Sequence, residues 1–146
     1  MAMITASSSV EIDKPVSEVY AFVTDCRNEP KWHSDAIEAS QVGDGTLAVG
    51  TKQRWLLKFM GKREMTMEVT RLEPDRVEEL TARSALMGMA PTITYSFEQA
   101  GSGTLFTRSV QMDPQGVGKL MKPMMRGMVP KRNAEFVRNL KKALDG

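Results

Sequence analysis

Three polar side chains in this 146-residue chain alternate in phase with large apolar ones, and they define the chemistry it could perform. Gln53 keeps step with Trp55, Tyr95 with Phe97, and Arg108 with Phe106 and Val110. Side chains two apart on a strand point to the same face, so all three are candidates for an interior position. An arginine held there needs a carboxylate partner or an anionic ligand, because it does not give up its charge. Glu64 and Glu79 are candidate partners; the alternative for Arg108 is a rim position on an edge strand. Tyr95 and Arg108 are the candidate catalytic groups, as a mild acid/base or as oxyanion donors.

The remaining reactive residues carry weaker signals. His33 is the only histidine. No Cys/His/Asp cluster with ligand spacing accompanies it, so neither a metal nor a cofactor is expected. The Trp32-His33-Ser34-Asp35 segment reads as a corner beneath the first helix, anchored by Trp32. Cys26 reads as a packed small residue rather than a nucleophile. Gly43-Asp44-Gly45 and Gly101-Ser102-Gly103 are hairpin glycines, without the lysine and following helix of a phosphate loop. No nucleophile elbow or triad spacing is present. Whether the protein is an enzyme is open on these grounds.

The elements that must position these side chains follow from periodicity. Ile4, Val10 and Ile12 share one parity and predict a strand over residues 3–13. Pro15 suits the first turn of a helix, and Val16, Val19, Tyr20 and Val23 give that helix, 15–24, an apolar face. Asn28-Glu29-Pro30 is expected to break it before a second short turn around residues 31–33. Strands are then predicted over residues 36–42, 51–60, 63–72, 76–84, 92–97 and 104–112, joined by turns short enough to make them antiparallel neighbours. From Val117 to Leu144 runs a methionine-loaded amphipathic segment, with Val117, Leu120, Met121, Met124, Met125, Met128 and Val129, then Phe136, Val137, Leu140 and Leu144, expected on one face. Gly116, Gly118, Pro123, Gly127 and Pro130 predict a kinked or two-piece helix, firm over residues 130–144 and looser over 117–129.

Composition bounds the class. An apolar fraction of 41% with 26% charged residues fits a folded domain rather than disorder, and the length fits one domain spanning residues 1–146. The single cysteine and the lack of a basic, then apolar, start predict a cytoplasmic protein. Residues 115–146 hold eight basic side chains against Glu135 and Asp145, while the rest of the chain is net acidic. This is read as a solvated helix face, with weak contact to a membrane surface as the alternative. Nucleic acid is not expected as a partner, since no exposed aromatics are interleaved with the basic residues. The chain is expected to be a monomer or a homodimer.

One stretch, Ile12-Asp13-Lys14-Pro15-Val16-Ser17-Glu18-Val19-Tyr20-Ala21-Phe22-Val23-Thr24-Asp25, is followed by Pro30-Lys31-Trp32. Gly50-Thr51, Tyr95-Ser96-Phe97-Glu98, Gly103-Thr104 and a terminal helix ending in Asn139-Leu140-Lys141 come later. In this order they resemble the polyketide cyclase/dehydrase-type (SRPBCC) branch of the START-like superfamily, over essentially the whole chain. The resemblance implies an α+β helix-grip fold: a curved antiparallel sheet of about seven strands (β-α-α-β6-α) wrapped around a long C-terminal helix. It also implies an apolar cavity between them, for a hydrophobic small molecule such as a lipid, isoprenoid or polyketide. The family has no shared catalytic motif, so the implied function is binding, transport or sequestration; a cyclase/dehydratase acting in the same cavity is the alternative. Gln53, Trp55, Leu57, Phe59, Met65, Met67, Tyr95, Phe97, Arg108, Met121, Met124, Met125 and Met128 are the candidate ligand-binding residues.

Overall fold

The computed structural model describes residues 3–84 and 88–145. Strand β1 (Ile4–Ile12) leads into helix α1 (Val16–Thr24) and a 3-10 turn, Cys26–Lys31. Strands β2 (Ala36–Gln41), β3 (Lys52–Lys58), β4 (Lys62–Glu73), β5 (Val77–Ala82), β6 (Thr92–Ala100) and β7 (Gly103–Met112) follow. A second 3-10 turn, Gly116–Met121, precedes helix α2 (Lys122–Asp145). The sheet order is β1-β7-β6-β5-β4-β3-β2, with every neighbouring pair antiparallel. β2 to β7 are a meander with short connections. β1 and β2 are the two edges, so α1 and the first 3-10 turn carry the chain from one edge to the other. The sheet curls and holds α2 against its inner face, the helix-grip arrangement.

Alternation makes that inner face. Trp55, Met65, Met67, Val69, Leu80, Ile93, Tyr95, Phe97, Phe106 and Val110 are buried, with polar or exposed residues between them on the same strands. α2 closes it with Met125, Val129, Asn133, Phe136, Val137 and Leu140, at steps of three and four.

Several expectations need correction. Asn28-Glu29-Pro30 lies inside the first 3-10 turn rather than breaking the helix, because so short a turn has few N–H bonds for Pro30 to remove. Arg108 is not on an edge: β7 lies between β1 and β6. α2 runs unbroken through Pro130 to Asp145, since a proline removes one hydrogen bond while buried side chains on both sides hold the helix to the sheet. The division falls instead at Met121/Lys122, where three residues per turn give way to 3.6. That change of pitch breaks the expected single methionine face. Val117, Leu120 and Met124 are exposed, whereas Met125 is buried.

The approach to this junction is held by Gly88. Its φ is 81°, and an added Cβ would collide with the carbonyl oxygen of Gln115, whose N–H donates to the Gly88 carbonyl at 2.8 Å. Gly88→Ala should therefore release the contact locally. A global loss of about 1 kcal/mol is expected, with much faster hydrogen exchange at the Gln115 amide. Unchanged exchange there would show that the contact is not what holds this loop.

Candidate ligand-binding site

The inner face of the sheet is divided along its strands. At one end the corner formed by α1 and the first 3-10 turn fills the space. Trp32 packs edge-on to Tyr95 and Phe106, with ring centroids 5.6 and 6.0 Å away, and Tyr20 packs on Phe97 at 5.2 Å. At the other end a cavity of about 150 Å³ remains between the sheet and α2. Its sheet walls are Trp55, Leu57 and Phe59 of β3 and its following turn, Met65 of β4, Ile93 of β6, and Val110 and Met112 of β7. Met89 and Pro91 close one side, and Met125, Met128, Val129 and Phe136 of α2 form the roof.

Of the residues proposed from the sequence, Trp55, Leu57, Phe59, Met65, Arg108, Met125 and Met128 line this cavity. Gln53, Met67, Tyr95 and Phe97 share the inward face but lie toward the filled end and do not line it. Gln53 instead accepts a hydrogen bond from the indole Nε1 of Trp55 at 2.9 Å, which fixes that ring. Met121 packs half-buried on the core and Met124 faces outward, so neither reaches the cavity. Four further lining residues, Arg132, Asn133, Phe136 and above all His33, are not among the ligand-binding candidates, although Phe136 lies on the apolar helix face expected from the sequence.

His33 is buried within the corner that Trp32 anchors, and it lines the cavity. The 3-10 turn places Glu29 four residues earlier, and the Glu29 carboxylate lies 3.2 Å from His33 Nδ1. The same oxygen, Oε2, accepts the Tyr95 hydroxyl at 3.0 Å. Burial pushes the His33 imidazole below its ordinary pKa, and the nearby Arg108 charge acts in the same direction, against the opposing hydrogen bond to Glu29. A neutral imidazole with its Nδ1–H on a carboxylate leaves Nε2 as the basic nitrogen. Tyr95 is driven well above its usual pKa, first by burial and then by the Glu29 charge, so it is a hydrogen-bond donor here and not an anion. The Cys26 thiol is pushed up to about 11 by burial, which leaves it a poor nucleophile.

Arg108 is 4% exposed. Nη1 donates to Asn133 Oδ1 at 2.6 Å, and Asn133 Nδ2 donates back to the Arg108 carbonyl at 2.9 Å. The guanidinium lies over the rings of Phe136 (5.2 Å) and Tyr95 (5.9 Å). Glu64 and Glu79 are not its partners. Glu64 pairs with the exposed Arg54, and Glu79 accepts from Thr70, since both project from the outer side of the sheet. Further along the lining, Arg132 is paired with Asp35 and with Glu135. Among the described residues no group of three or more His, Cys, Asp or Glu side chains could hold a metal ion. Nor is any described helix long and apolar enough to cross a membrane.

The family model for polyketide cyclase / dehydrase and lipid transport matches residues 3–145. The chain belongs to this family. Among solved structures, the family fold is shared with the Zhui aromatase/cyclase from Streptomyces sp. R1128, at a TM-score of 0.80 and 12% identity over 97% of this chain and 94% of that one. A START superfamily protein from Mycobacterium smegmatis matches at 0.73 and 16% identity, over 97% and 94%. A protein from Thermus thermophilus matches at 0.78 and 14% identity, over 96% of each chain. At these identities the likeness is one of fold. No curated protein matches the chain by sequence. Within the family frame, a cavity between sheet and helix is where an apolar guest belongs, and here it is lined by five methionines that can repack around one.

Proposed function

We propose that this protein binds a compact hydrophobic molecule in the cavity between its sheet and α2, as a carrier or sequestering protein. The observation that carries this reading is the cavity itself, about 150 Å³ with mostly apolar and aromatic walls. Cavities of that size and character take up a single aromatic ring. A longer lipid or a polyketide would need Met125 and Met128 to move aside, which unbranched thioethers allow at small cost. Exposed Val117, Leu120 and Met124 beside Lys119 and Arg126 support weak contact with an anionic membrane surface, which suits a carrier.

A cyclase/dehydratase reading is supported by one specific arrangement. His33 lines the cavity and is oriented by Glu29, so its Nε2 could take a proton from a bound substrate. In this reading His33 is the base, Tyr95 positions Glu29, and Arg108 takes developing negative charge on oxygen.

Native mass spectrometry of freshly purified protein, followed by solvent extraction, tests the binding reading. A stoichiometric apolar adduct that is lost on filling the cavity with Val110→Trp is the expected result. A bare chain mass, together with no thermal shift from any apolar compound of one or two rings, would sink it.

A further inference from the structure

Arg108 is a buried cation without a carboxylate. None of the ion pairs among the described residues includes it. Its Nε has no hydrogen-bond partner. Glu29, the buried carboxylate on the same His33 and Tyr95 that surround Arg108, is engaged by His33 and by the Tyr95 hydroxyl. The cavity lining carries three cations, Lys58, Arg108 and Arg132, against the single carboxylate of Asp35, which Arg132 engages. His33 adds no charge, because burial favours its neutral form.

Isolated buried charge is costly, and a protein that keeps one without a partner of its own leaves that partner to be supplied. The guanidinium is also held ready: Asn133 clasps it at the side chain and at the backbone, and the Phe136 and Tyr95 rings fix its plane. Rigid donors in an apolar pocket lose little freedom on binding, and the low local dielectric strengthens their pull on negative charge.

We infer that the guest is a compact organic anion: an apolar body of about one ring occupies the methionine-lined space, and its carboxylate docks on Arg108. This rests on the ligand-cavity reading above and narrows it from hydrophobic molecules in general to small aromatic or alicyclic acids. The neutral lipids, alcohols and hydrocarbons that the same walls would otherwise accept become weaker guests.

The test uses benzoate, benzyl alcohol and toluene, titrated at pH 7.5 against the whole protein. The signal is the Trp55 indole N–H in a nitrogen–proton correlation spectrum, since Trp55 lines the cavity. Benzoate is expected to bind the wild type at least about tenfold more tightly than benzyl alcohol. Arg108→Met should reverse that order while toluene still binds, and Arg108→Lys should keep part of the preference. Toluene or benzyl alcohol binding as well as benzoate or better overturns the anion assignment and leaves the cavity reading intact. Binding by none of the three overturns both. Should Arg108→Met fail to fold, the wild-type ranking alone decides.

Discussion

Glu29→Ala is expected to lose about 3–5 kcal/mol of folding stability, because one oxygen of this side chain serves two buried donors. Removing it leaves the Tyr95 hydroxyl and the His33 Nδ1–H without partners where neither can reach water. Each such orphan costs about 1–3 kcal/mol, and the missing carboxyl leaves a void beneath the 3-10 turn. Glu29→Gln should behave differently. Its amide oxygen, placed where Oε2 lies, can still accept from both the Tyr95 hydroxyl and the His33 Nδ1–H, so most of the stability should return. The imidazole then keeps its proton on Nδ1. Urea denaturation of the two variants, with long-range nitrogen–proton NMR of His33, separates these effects. A loss below about 1 kcal/mol for the alanine variant would mean that the Glu29 bridge does not hold the corner to the sheet. If the glutamine variant moved the proton to Nε2, the shared oxygen at this position would not be what sets the tautomer.

A second expected result concerns Glu78. It faces inward from β5, 1% exposed, and its Oε2 has no hydrogen-bond partner. Burial raises its pKa well above the ordinary carboxyl value, and the Glu29 charge adds to the shift. The sign follows from the folded state preferring the protonated acid. Below the unfolded glutamate pKa of about 4.3 both states are neutral and there is no penalty. As pH rises toward the folded pKa, the unfolded chain releases its proton first and stability falls, reaching its full loss above that value. Glu78→Gln should therefore stabilise the protein by about 1–3 kcal/mol at pH 8 and by far less near pH 4.5. His33 works in the opposite sense, as its depressed pKa costs stability when pH falls below about 6.5. The informative quantity is thus the difference between variant and wild type across pH. A gain that does not grow with pH would show Glu78 to be partnered.

The two glutamates also illustrate what strand and helix patterns leave out. Glu29 sits in an ordinary Asn-Glu-Pro sequence, and Glu78 is one of two adjacent glutamates in a strand. Neither position has a local signature of burial. Glu78 shares parity with Leu80, which could have marked it as inward, but the expectation that carboxylates stay in water is stronger than one alternation step. His33 reads as a corner residue for a similar reason. Its neighbourhood, with Glu29 four residues earlier and Phe136 more than a hundred later, exists only after α2 has been laid on the sheet.

Element types, their order and the family are legible in the residues alone. Alternation and turn chemistry are local, and both survive folding almost unchanged: the strands lie near where period-two patterning puts them, and Arg108 keeps the inward parity of Phe106 and Val110. The split of the inward face into cavity and core belongs to the packed fold. Gln53, Tyr95 and Phe97 point the same way as Trp55 and Leu57, but the aromatic corner around Trp32 fills the space above them. Likewise, a methionine's membership of the roof depends on the phase of α2. Met124 and Met125 are neighbours within α2, and its roughly 100° step per residue turns the first outward while the second is buried against the sheet. Such volumes are set by how separate elements pack against one another, and no periodicity within one element encodes them.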